Sequence, residues 1–143
     1  MSEWDRDSYE KAMIDDLRSH AGVVSQGPLA GQSLLLLTAT GAKSGEPRRV
    51  ILTWSRDGGD YIVAGTAGGS PKTPQWVANL RRTPTASIEA EGRTTTATAR
   101  IVGDGPERDR LWDAHVALLP NFAPYPEQSG RVIPMIRLTP AAD

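Results

Sequence analysis

Residues 40–49 read Thr-Gly-Ala-Lys-Ser-Gly-Glu-Pro-Arg-Arg, which gathers the cations Lys43, Arg48 and Arg49 and the hydroxyl of Ser44 around Gly41 and Gly45. Guanidinium and ammonium groups pair strongly with phosphate and carboxylate oxygens, and glycine lets backbone amides come close to such a ligand. The chemistry on offer is therefore the binding of a small anion. The spacing is not that of a nucleotide-hydrolysing phosphate loop, because G-x-x-x-x-G-K-[ST] is incomplete and the stretch leads into a strand rather than a helix. A second cluster, Gly65-Thr66-Ala67-Gly68-Gly69-Ser70-Pro71-Lys72-Thr73-Pro74, leaves a strand and enters a helix. Free amides, a helix dipole and Lys72 can converge there, so the two loops together point to one anion pocket.

Other chemistries are excluded by residue type. The chain has no Cys and only two His, His20 and His115, each in a helical pattern. That removes thiol nucleophiles, thiolate metal sites and sites of several imidazoles, and no metal is expected. No G-x-S-x-G or H-E-x-x-H motif occurs, which argues against a hydrolase.

The elements that must position these loops follow from periodicity. Apolar residues at Tyr9, Met13 and Leu17 predict an N-terminal helix over 7–20. Residues 33–39, 49–56 and 61–65 read as strands, with Asp57-Gly58-Gly59-Asp60 as a hairpin turn. Strands over 86–91 and 94–102 flank a second hairpin, and 131–138 is a last strand. Two helices are inserted between strands. One is capped by Thr73 with Pro74 at its first position and carries Trp76, Val77 and Leu80 inward; the other runs over 106–119 with Leu111, Trp112, His115, Val116 and Leu119 on its buried side. About six antiparallel strands with inserted helices favour an α+β fold built on a small barrel over a doubly wound sheet.

The 143 residues suit a single domain: a helix and loop over 1–30, then a barrel over 31–138. The formal net charge of −1 hides a pattern, since residues 1–40, 41–82 and 83–143 balance to −3, +4 and −2. A basic centre between acidic flanks predicts a local anionic ligand, not bulk nucleic acid or membrane. The 6% aromatic share and pI near 6.1 also speak against nucleic acid. Ser2-Glu3-Trp4-Asp5 lacks the basic, apolar start of a secretory signal, and the leucine run 34–37 is far short of a membrane span, so a cytoplasmic protein is expected.

The stretches TGAKSGEPR, RDGGDYIVAGT and GGSPKTPQWVANL, with PNFAPY after residue 119 and RVIPMIRL near the end, resemble the deazaflavin (coenzyme F420)-dependent nitroreductase family of the split β-barrel class. The resemblance covers residues 30–138. It implies a reductase that passes a hydride from the reduced coenzyme to an electron-poor small molecule: an activated alkene, a quinone or a nitroaromatic. Matched by position, Lys43 and Arg48 contact the anionic part of the coenzyme, with Ser44, Gly45 and Arg49 beside them. Thr66, Ala67, Gly68 and Gly69 border the deazaflavin ring, and Lys72, Trp76 and Asn79 belong to the helix that closes the pocket. Thr66, Leu119, Phe122 and Tyr125 line the substrate side, and the proton comes from solvent or from Tyr125, the candidate catalytic residue. Leu119 and Phe122 stand where familiar nitroreductases have tyrosines, which implies a different substrate preference. FMN is the alternative cofactor, a non-catalytic coenzyme-binding protein the alternative role, and monomer and homodimer both stand open.

Overall fold

The computed structural model describes residues 6–25, 31–65, 74–130 and 133–141, with side chains at all of these except 6–10, 121 and 129. Leucines 34–37 form a continuous apolar run because the strand that holds them, β1 (Leu34–Thr40), is covered on both faces. Leu35 and Leu37 enter the main core, whereas Leu34 packs with Leu17 and Val24 beneath helix α1 (Arg6–Ser19). Burying each such side chain contributes about 1.5–3 kcal/mol.

The strands β1, β2 (Pro47–Thr53), β3 (Ser55–Asp57), β4 (Asp60–Ala64), β5 (Thr85–Ala90), β6 (Arg93–Val102) and β7 (Met135–Pro140) form one sheet in the order β2-β1-β5-β6-β7-β4-β3, with every pairing antiparallel. The edge strands β2 and β3 are separated in sequence by Trp54 alone. Three consecutive residues span no more than about 7 Å, so the two edges must meet, and the sheet curls into a barrel with its seam at Trp54. The split-barrel expectation is met, with a correction in strand number: the single strand expected over 49–56 is two. Its two ends bond to different neighbours, β1 and β4, and the chain bends between them.

The barrel interior holds Leu35, Leu37, Tyr61, Val63, Ile88, Ile136 and Leu138. Helix α2 (Gln75–Arg82) packs Val77 and Leu80 onto this core. Its start is corrected from the sequence reading. Pro74 occupies the N-cap with an extended ψ of 147° and no side-chain cap bond, so the helix begins one residue later; Thr73 lies outside the described residues. Helix α3 (Pro106–Leu118) covers the outside of β4 and β7 through Leu111 and Trp112, which meet Ile62, Ala64 and Met135. A 3₁₀ turn, Pro120–Phe122, and a five-residue helix α4 (Tyr125–Ser129) follow, where the sequence predicted no element. The last strand lies later than its expected 131–138. The hairpin β5–β6 turns on Glu91 and Gly92, both at positive φ (54° and 78°), the backbone pair of the tight primed turn. Among the described residues no helix is long and apolar enough to cross a membrane.

A candidate coenzyme cleft

The β1–β2 connection is fixed by its own backbone. Gly41 N–H donates to Glu46 O (2.8 Å), Gly45 N–H to Gly41 O (2.9 Å), and Glu46 N–H to Ser44 Oγ (3.2 Å). Glycine is needed at 41, since a Cβ there would stand 2.6 Å from Ser44 Oγ. Ala42 N–H crosses to the Oδ1 of Asn79 on α2 (3.0 Å), and Gln75 Nε2 reaches the same oxygen (3.3 Å). Asn79 is buried, although it lies on a cleft wall.

Loop and helix thereby enclose a cleft of about 470 Å³ lined by Gly41, Ala42, Lys43, Ser44, Arg48, Arg49, Val50, Pro74, Gln75, Trp76 and Asn79. These residues include three cations and no carboxylate, a charge balance that favours an anion. Arg48 donates to Ser44 Oγ at 3.4 Å, and Lys43, Arg48 and Arg49 are all exposed. Trp76 is half-buried, packed against the core on one side and lining the cleft on the other. The donors and the indole suit a ligand that joins an anionic part to a flat ring.

Six residues singled out from the sequence, Lys43, Ser44, Arg48, Arg49, Trp76 and Asn79, thus line one space. Gly45 supports the loop from outside the lining, at φ 73°. Thr66, Ala67, Gly68, Gly69 and Lys72 lie outside the described residues. Leu119, Phe122 and Tyr125 are brought together elsewhere, on the α3 side, and do not line the cleft. Phe122 is buried, with its ring 4.9 Å from that of His115 and 5.3 Å from that of Tyr125. Residues 66–73 connect the end of β4, whose Ala64 belongs to the Phe122 cluster, to Pro74 of the cleft. The sequence reading missed Ala42, Val50 and Gln75; the i, i+4 spacing of Gln75 and Asn79 was the available signal for the last.

His115 is fully buried, with Nδ1 2.7 Å from Ser55 Oγ and Nε2 without a hydrogen-bond partner among the described residues. Burial holds its pKa down at about 4, so the imidazole is neutral near pH 7. Among the described residues no group of three His, Asp or Glu side chains is arranged to hold a metal ion.

A split β-barrel with a basic, indole-lined cleft beside its first hairpin is the architecture of this chain. Residues 11–140 match the F420H(2)-dependent quinone reductase family. An F420H(2)-dependent quinone reductase of Mycobacterium tuberculosis is 37% identical over 114 residues, which cover 78% of this chain and 76% of that protein. A solved F420H2-dependent reductase is 35% identical, with a TM-score of 0.67 over 73% of this chain and 92% of its own. Another solved structure, a domain-swapped dimer, is 30% identical, with a TM-score of 0.69 over 92% and 97% of the two chains. The chain belongs to the F420H2-dependent quinone reductase family. It is an F420H2-dependent oxidoreductase that transfers hydride to a small organic substrate.

Proposed function

We propose that the cleft between the 41–45 loop and α2 holds coenzyme F420 and that the acceptor is a quinone. The observation that carries the first part is the lining itself, three cations with no carboxylate beside a half-buried indole. Lys43, Arg48 and Arg49 would pair with the phosphodiester and carboxylate oxygens of the coenzyme, Ser44 would add a hydrogen bond, and Gly45 would hold the turn. Trp76 and Asn79 form the helix wall. Thr66, Ala67, Gly68, Gly69 and Lys72 are assigned to the ring side by their motif. The named activity of the mycobacterial relatives supports the quinone.

When bound, the reduced coenzyme supplies the hydride. The chain's own residues bind and orient it, exclude water and place the acceptor against it, so no nucleophilic side chain is required. On this reading Leu119, Phe122 and Tyr125 form the substrate wall, and the Tyr125 hydroxyl delivers a proton to the reduced acceptor. Steady-state rates with a quinone, an activated enone and a nitroaromatic test the substrate: the highest kcat/KM is expected for the quinone, and a clear preference for either other acceptor contradicts it. Tyr125→Phe is expected to lower kcat about 10-fold or more with little change in coenzyme binding; unchanged turnover across the pH range removes Tyr125 from the proton path.

The swapped-dimer relative further supports a homodimer. Sedimentation equilibrium should then give twice the 15.4 kDa chain mass, and a single 15.4 kDa species at micromolar concentration rejects the dimer.

A further inference from the structure

Asn79 is only 2% exposed, and its Oδ1 accepts two hydrogen bonds, from Ala42 N–H and from Gln75 Nε2. An amide oxygen has two lone pairs, so this atom is fully used within the protein and cannot also serve a ligand. The loop amides can be accounted for one by one. Gly41, Gly45 and Glu46 donate within the loop, Ala42 donates to Asn79, and the N–H groups of Lys43 and Ser44 have no partner among the described residues. Those two residues line the cleft.

We infer that Asn79 is a positioning residue: by holding the Ala42 amide from across the cleft, it fixes the loop so that the backbone N–H groups of Lys43 and Ser44, together with the Lys43 ammonium, are presented to a phosphate oxygen of the coenzyme. The inference rests on the coenzyme reading above. A partly buried hydrogen bond between residues 37 positions apart ties the loop to the helix that carries Trp76, so the two walls of the cleft share one register. The neutrality of Asn79 matters as well. Aspartate could accept the same two hydrogen bonds, but it would put a negative charge against an anionic ligand.

The test uses the full chain with Asn79→Ala and Asn79→Asp. Amide hydrogen exchange at Ala42 is followed by NMR without coenzyme, and binding of oxidised F420 is followed by fluorescence. The wild-type Ala42 amide should be protected; Asn79→Ala should speed its exchange and weaken F420 binding, each about 10-fold. Asn79→Asp should keep Ala42 protected while weakening binding in a way that added salt reduces. Weakened binding in Asn79→Ala with Ala42 still protected would make Asn79 a direct contact and overturn the positioning role, as would lost protection with unchanged affinity. If Asn79→Ala does not fold, Asn79→Asp decides, because an unprotected Ala42 amide there contradicts the inference. A wild type that fails to bind F420 overturns the coenzyme reading itself, a result distinct from either of these.

Discussion

Replacing Lys43 or Arg48 by alanine removes one charge-assisted donor from an exposed wall of the cleft and nothing from the core. Each substitution should weaken F420 binding by roughly 1.5–3 kcal/mol, read by fluorescence titration, with the melting temperature unchanged. His115 makes the opposite kind of prediction. Its folded pKa, near 4, lies below the usual 6.5, so the unfolded chain takes up the proton first. Stability is complete above pH 6.5 and falls by up to about 3 kcal/mol as pH drops toward 4. Urea unfolding across that window should lose most of this slope in His115→Asn; an unchanged slope removes His115 as its source. At this scale the candidate cleft was legible where residue type carries the chemistry, as with the cations and glycines of 41–49. Ala42 was not, because its part is played by a backbone N–H that any residue but proline possesses, and Gln75 was hidden because its amide serves another side chain.

Packing of α3 against the barrel is reinforced by ion pairs that centre on Arg137 of β7. Its guanidinium meets Asp57 and Asp60 of the β3–β4 hairpin at 2.7 Å each and Glu107 of α3 at 3.3 Å, while Arg110 of α3 also pairs with Asp57. Hydrogen bonds from Arg110 and Arg137 hold the Asp57 pKa down at about 2. This contribution is present above the ordinary value of 3.8 and is lost as pH falls through 2. Arg137 is mostly buried, so Arg137→Ala takes from Asp60 its ion-pair partner, while Asp57 keeps Arg110 and Glu107 keeps Arg100, and should cost about 2 kcal/mol in a chemical melt. A change below about 0.5 kcal/mol, the size of an ordinary surface substitution, would show the network to be incidental. Helices with clear periodicity and hairpins with glycine turns were readable from the sequence. The break at Trp54 was not, because the apolar pattern runs through it and only the change of bonding partner from β1 to β4 divides the strand. The turn and helix over 120–129 were masked by Pro120, Pro124 and Pro126, which read as breakers yet sit in or beside the first turns of short segments that tolerate them.

Across the whole molecule, a net charge of −1 conceals a cleft lined, among the described residues, by three cations and no carboxylate. Pairing of β1 with β5 produces that arrangement: α2 leads into β5, whose Ala86 lies opposite Ala39, so the β1–β2 loop sits beside α2, although Ala42 and Asn79 are 37 residues apart. The sequence showed the excess of positive charge in its central third, and the fold collects Lys43, Arg48 and Arg49 from that third into one wall. A chain of 143 residues can support redox chemistry because the cofactor brings the reactive atom, and on the proposed reading the charged cleft is its seat. The most direct test of this account is equilibrium titration of the wild type and of the Lys43→Ala, Arg48→Ala double variant with coenzyme F420, with FMN as the comparison ligand. The account predicts that the wild type binds F420 in preference to FMN and that the double variant, folded with an unchanged melting temperature, binds F420 about 100-fold more weakly or worse. Equal F420 affinity in the two proteins would contradict it.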